Sequence, residues 1–189
     1  MAVELLEIEP IHEGKFLKFY NFKLSDGRTY EVISRRDLTM ENVNTFSADA
    51  VDIIAFSPDR QKILVIKEWR IPVNDYIYAF PAGLRESNEG IFETARRELY
   101  EETGLHIETL YDILPPAYQS AGMTNEVVAS VFCSADGELT NANSMSDEDI
   151  VPMWLSKADA LELLSHGKFS ARCQLVLSLW ANEASLGRF

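Results

Sequence analysis

The chain has 189 residues, is 47% hydrophobic and carries a formal net charge of −13. That length can bury one sizeable core with an appendage, and no apolar run reaches the length of a membrane span. The acidic balance lacks the basic footprint of a nucleic-acid binder, so neither nucleic acid nor membrane is expected as a partner.

The opening MAVELLEIEP is acidic, with no basic n-region or long apolar stretch, so no signal peptide is expected. The two cysteines, Cys133 and Cys173, stand in no metal or redox spacing. They read as buried or free thiols of a reducing cytosol, and a cytoplasmic location is expected.

Phe16 to Leu24 and Thr29 to Ser34 are strand-like, with Ser25-Asp26-Gly27-Arg28 as the turn between them. Ile8 to Ile11 adds a short strand. A sheet this small cannot stand alone and must pack on the main domain or on another subunit. Ala48 to Phe56 and Lys62 to Glu68 are buried strands joined by a Ser57-Pro58-Asp59-Arg60 turn. Tyr76 to Phe80 is a short strand leading into Pro81-Ala82-Gly83. Trp69 and Phe80 read as core aromatics before nucleobase platforms. A helix is predicted over Gly90 to Thr103. His106 to Leu114 and Glu126 to Ser134 are further strands, with a loop from Leu114 to Asn125 between them. Ala135 to Asp149 is polar and irregular, and loops of that length are usually functional or disordered. Ile150 to Leu155 is the last strand. Ser156 caps one helix and Ser170 starts another. His12, His106 and His166 fit no motif.

The most informative stretch is Gly83 to Leu105, GLRESNEGIFETARRELYEETGL. Phe92, Ala95 and Leu99 recur at the spacing of one buried helix face. Glu98, Glu101 and Glu102 fall on an adjoining face. Gly104 reads as the left-handed residue that stops the helix. Three carboxylates thus crowd a helix end that already carries partial negative charge. Stability alone disfavours this arrangement. A hard divalent cation bound through oxygens relieves it, and Mg²⁺ takes few carboxylates together with substrate phosphates.

These 23 residues resemble the Nudix box, G-x5-E-x7-R-E-U-x-E-E-x-G-U with U aliphatic, and no position departs from it. Seven fixed identities would coincide by chance about once in a billion windows, so coincidence is set aside. The flanks resemble the ADP-ribose pyrophosphatase branch of that family. The similar segments are Lys67-Glu68-Trp69-Arg70-Ile71-Pro72-Val73, Tyr78-Ala79-Phe80-Pro81-Ala82-Gly83 and Ser120-Ala121-Gly122-Met123-Thr124-Asn125-Glu126. Ala121 stands where the branch has proline, and the linker Arg35 to Phe46 is longer than expected.

The resemblance implies an α/β fold: a Nudix-type α/β/α sandwich with a mixed sheet, plus a small N-terminal antiparallel sheet. It implies a division into residues 1–45, the N-terminal sheet and dimerisation element, and residues 46–189, the hydrolase domain. A homodimer is expected. The implied chemistry is Mg²⁺-dependent hydrolysis of the diphosphate bridge of a nucleoside diphosphate sugar, with Mn²⁺ able to substitute. ADP-ribose, giving AMP and ribose 5-phosphate, is the first choice of substrate.

Position by position, Glu98 and Glu102 become the central metal ligands, Glu101 assists, and the Ala82 carbonyl adds an oxygen. Arg97 and Glu89 form an ion pair that holds the loop to the helix. Arg70 faces the diphosphate, and Glu126 lies at the mouth beside the metals. Glu148 is the candidate general base, with Glu126 and Asp147 as alternatives. Ile33 and Arg36 line the base or ribose pocket. A UDP-sugar or GDP-sugar pyrophosphatase shares the metal site and differs only in the pocket. A rival of another class is a Nudix domain kept as a non-catalytic ligand sensor. Such a protein can lose box glutamates without losing its fold, whereas all three are present here.

Overall fold

A computed structural model describes residues 3–142 and 149–182. The chain divides into two compact units, Met1–Asp49 with Pro115–Ala129, and Ala50–Leu114 with Ser130–Phe189.

The first unit is built on three antiparallel strands, β1 (Leu5–Glu13), β2 (Lys18–Leu24) and β3 (Thr29–Ser34), in that order across the sheet. The β2–β3 hairpin turns at Gly27, whose φ of 84° is open to glycine without a Cβ penalty. β1 is longer than the short strand expected. Pro10 lies within it beside a register shift, and an edge strand tolerates a residue that cannot donate to the ladder. Tyr20, Val32 and Leu38 form the unit's core, with Ile8 and Phe22 packed against them. Residues 115–129 complete the unit. The Ile33 N–H donates to the Met123 carbonyl at 3.0 Å, and the Asp49 N–H to the Val127 carbonyl at 2.7 Å.

The second unit carries β4 (Ala50–Phe56), β5 (Lys62–Arg70), β6 (Asp75–Ala79), β7 (Ala82–Leu84) and α1 (Ile91–Thr103). They are followed by β8 (His106–Tyr118), β9 (Val127–Asp136), β10 (Ile150–Ser156), α2 (Lys157–Leu164) and α3 (Ala171–Ala181). The ends of β8 and β9 belong to the first unit. The seven-stranded mixed sheet runs β10-β5-β4-β9-β8, with β6 on β5 and β7 on β4.

Alternation along the strands sends Ile54, Ile63 and Val65 to one face, where they pack with Ala160 of α2 and with Cys173 and Leu177 of α3. Ile53, Leu64 and Ile66 face the other way and are fully buried. α1 packs on β4 and β7 and buries Ala95 and Leu99, giving the α/β/α sandwich. Ser156 accepts from the Asp159 N–H in a full capping box, and Ser170 accepts from the Cys173 N–H, so both late helices begin where the sequence predicts. Cys133 and Cys173 are buried free thiols, and burial pushes each up to about 12.

Two expectations need correcting. β8 runs on through Pro115-Pro116 to Tyr118 instead of ending at Leu114, because it is the last strand of the sheet and its prolines cost few ladder bonds. Phe80 is core, but Trp69 is 41% exposed. The β5–β6 hairpin runs past the core beyond Glu68, and Trp69 packs edge-on to Tyr76 with 5.1 Å between ring centroids.

Candidate active site

The site starts from α1 and its stop. Gly90 is the N-cap and makes no side-chain cap bond, while Glu93 in the first turn complements the helix dipole. At the other end Gly104 adopts φ 74°, and its N–H closes the last turn on the Tyr100 carbonyl. A Cβ there would also lie 2.8 Å from the Glu138 carbonyl oxygen, so glycine is required twice over. The last turn holds no basic residue.

The short strand β7, which sequence periodicity did not announce, faces this turn. Ala82 and Gly83 pair with Asp52 and Val51 of β4. The Ala82 N–H donates to Glu102 Oε2 at 3.1 Å, and Glu102 is only 5% exposed. A Cβ on Gly83 would stand 1.8 Å from Glu98 Cδ. The Glu98 carboxylate therefore occupies the space that any other residue's side chain would fill. Gly83 is required for close approach and not for backbone conformation.

Arg97 ties the assembly together. Its Nε and Nη2 donate to both oxygens of Glu89 at 2.8 and 2.9 Å, a bidentate pair. Nη2 also donates to the Leu84 carbonyl at 3.0 Å, and Nη1 to Glu98 Oε1 at 2.7 Å and Glu101 Oε2 at 3.1 Å. Hydrogen bonding from Arg97, helped by the Thr94 hydroxyl and the Glu86 N–H, lowers the Glu89 carboxyl to about 2. Glu89 first and then Glu98 raise the Arg97 guanidinium above its ordinary range.

Elsewhere in this unit, Arg70 ends β5, is half exposed and pairs with Glu68 at 3.1 Å. The Trp69 N–H donates to the Asp149 carbonyl at 3.1 Å, and the Tyr76 hydroxyl bonds the Asp149 carboxylate. Glu148 and Asp147 lie outside the described residues.

Ile33, Arg36 and Glu126 belong to the first unit. Ile33 bonds the 120–125 loop through its backbone. Arg36 is committed to the linker. Its Nε and Nη2 each reach Asp49 at 2.7 Å, and Nη1 reaches the Thr45 carbonyl at 2.9 Å. Asp49 also accepts from the Val127 N–H at 2.9 Å. Glu126 instead accepts from Arg35 Nε at 2.7 Å. Arg35 and Asp49 were not singled out from the sequence. Both pair with residues far along the chain, Arg35 with Glu126 and Asp49 with Arg36 and the Val127 N–H, so no local signal in the sequence marks them.

The comparisons with known proteins agree with this geometry. The model of the NUDIX domain matches residues 47–173. An ADP-ribose pyrophosphatase of Bacillus subtilis is 31% identical over 160 residues, covering 82% of this chain and 80% of the relative. An ADP-sugar pyrophosphatase of Mus musculus is 31% identical over 137 residues, covering 69% of this chain and 60% of that protein. The chain belongs to the NUDIX family. A crystal structure of an ADP compounds hydrolase superposes with a TM-score of 0.71 at 19% identity, covering 97% of this chain and 94% of that one, which shows the same fold.

The Nudix box is thus the α1–β7 assembly, and the chain is a Nudix hydrolase similar to the ADP-ribose pyrophosphatases. Its donor set fits a hard divalent cation. Glu98, Glu101, Glu102 and the Ala82 carbonyl offer only oxygens, and the Gly83 cradle holds one carboxylate against the strand. Among the described residues no three acidic, histidine or cysteine side chains converge at ligand spacing, and Arg97 holds Glu98 and Glu101. That guanidinium is the internal counter-charge that lets three carboxylates share one helix turn.

Proposed function

We propose that this Nudix hydrolase cleaves the diphosphate bridge of a nucleoside diphosphate sugar with Mg²⁺, and that ADP-ribose is its substrate. The observation that carries the reading is the Glu98 carboxylate seated on Gly83 beside Glu102, at a helix end with no basic residue in its last turn. The activities named for the Bacillus subtilis and mouse relatives support the substrate class.

Glu98 and Glu102 would hold the cation, with Glu101 and the Ala82 carbonyl beside them. When bound, it neutralises the diphosphate and makes a water more acidic. Arg97 acts through Glu89, Glu98 and Glu101, fixing where the carboxylates stand. Arg70 binds the diphosphate, and Glu126 borders the substrate. Glu148 takes a proton from the attacking water. The water oxygen bonds to phosphorus, the P–O–P bridge breaks, and the leaving phosphate departs with the electron pair. ADP-ribose and water become AMP and ribose 5-phosphate.

A panel of ADP-ribose, UDP-glucose and GDP-mannose with Mg²⁺, scored by product identity and kcat/KM, tests the substrate. The highest kcat/KM is expected for ADP-ribose. A tenfold preference for either other sugar nucleotide removes ADP-ribose, and no hydrolysis of any removes the enzyme reading.

A further inference from the structure

The second unit contains a cavity that the chemistry above does not use. It measures about 670 Å³ and is lined by Phe56, Arg60, Leu110, Asp112, Phe132 and Trp180, among others. Every lining residue lies within that unit, and no glutamate of the box is among them.

Its apolar wall follows from how the helices sit on the sheet. Phe56, Phe132 and Trp180 pack against the core that α2 and α3 cover. Those helices contact β10 and β6, whereas β8 is the opposite edge of the sheet. Leu110 and Leu114 of β8 line the cavity and are left 41% and 43% exposed.

The polar feature is Arg60. It sits at φ 59° in the β4–β5 turn, a conformation that disfavours any side chain and that glycine adopts freely. The turn is closed by the Arg60 N–H on the Ser57 carbonyl at 2.7 Å and the Ser57 N–H on the Lys62 carbonyl at 3.0 Å. The guanidinium lies over Tyr111, with Cζ 4.3 Å from the ring centroid, and its Nε donates to the Tyr111 hydroxyl at 3.2 Å. Nη1 and Nη2 make no hydrogen bond among the described residues. A guanidinium fixed on one edge and open on the other presents the fork that takes a carboxylate through two parallel bonds.

Asp112 limits what can bind. It is the other charged lining residue, and its Oδ1 accepts from the Ile113 N–H at 2.9 Å. A carboxylate in the same cavity disfavours a second negative charge on the ligand, so a diphosphate fits poorly. One acidic group on an apolar body fits the fork and the wall together. We propose that this cavity binds an apolar monocarboxylate, with its carboxylate on the Arg60 fork and its hydrocarbon against Phe56, Leu110, Phe132 and Trp180. The site needs no cation and does not rest on the diphosphate reading.

The test is calorimetric titration of the full chain in EDTA with phenylbutyrate. Phenylbutanol, which lacks the charge, and butyrate, which lacks the ring, are the controls. Saturable phenylbutyrate binding is expected, with each control at least fivefold weaker. Arg60→Gln should weaken phenylbutyrate about fivefold, the upper worth of an exposed ion pair, and leave phenylbutanol unchanged. Leu110→Glu, at a half-exposed position, should weaken phenylbutyrate at least tenfold by setting a like charge on the wall. Glu102→Gln should bind it as the wild type does. The proposal is overturned by no saturable binding, by phenylbutanol binding as tightly as phenylbutyrate, or by wild-type affinity in Arg60→Gln or Leu110→Glu. A loss in Glu102→Gln would move the ligand to the carboxylate turn and overturn it too. So would sedimentation showing that phenylbutyrate splits a dimer, which would make this face an interface between copies. Because EDTA is present throughout, failure here leaves the hydrolytic reading untouched.

Discussion

Replacing Gly83 by alanine isolates the contact on which the site depends. A Cβ at this position would stand 1.8 Å from Glu98 Cδ, whereas ordinary contact begins at 3.4 Å. The carboxylate must therefore retreat by about 1.6 Å. Gly83 does not use a left-handed φ, so alanine brings no backbone strain. The displaced atoms are the far end of a flexible side chain, and the stability change should stay within about 1 kcal/mol. Function has no such tolerance. Mg²⁺ demands near-ideal octahedral geometry at about 2.0–2.1 Å, and a misplacement of about 1 Å can cost 10²-fold in rate. Gly83→Ala should lower kcat/KM for ADP-ribose by about 10²-fold or more, while a thermal melt moves by at most about 4 °C. Near-normal kcat/KM at equal Mg²⁺ would mean that Glu98 is not held on β7 as described. A collapse of Tm would mean that Gly83 serves folding first.

Two other expectations concern the groups around the helix. The folded Glu89 carboxyl titrates near 2, below its ordinary 4.5. A lowered carboxyl stabilises the fold fully above about 4.5, and that contribution is lost as pH falls toward 2. Urea midpoints of Glu89→Gln should therefore lie below wild type at pH 7 and converge with it toward pH 2; a constant gap across that window contradicts the Arg97 pairing. Glu148→Gln should lower kcat by about 10²–10⁴ with KM little changed, as loss of a positioned base does. If it turns over normally and Glu126→Gln does not, the base is Glu126.

The sequence carried the box, the α1 stop and the two serine caps because each rests on local rules. Gly104 needs only a left-handed φ, and Ser156 and Ser170 need only an N–H within the next turn. What it did not carry depends on contacts between distant positions. Gly83 is an anonymous box glycine until β7 pairs with β4 and brings Glu98 against it. The partners of Arg36, the Asp49 carboxylate and the Thr45 carbonyl, come to it only when the chain is folded. Pro10 and Pro115-Pro116 argued for short strands, and edge position overrode them. Trp69 had the composition of a core residue, and only the reach of the β5–β6 hairpin beyond the core exposes it.

The most direct measurement is turnover of ADP-ribose by the wild type and by Glu102→Gln across a Mg²⁺ titration, with products separated and identified. The glutamine can still accept from the Ala82 N–H, so the fold should persist. Wild type should release AMP and ribose 5-phosphate only with the cation present, and Glu102→Gln should be slower by on the order of 10²–10³-fold. Equal turnover by the two proteins, or undiminished turnover by wild type in EDTA, would contradict a cation-dependent site on the Glu98, Glu101 and Glu102 turn.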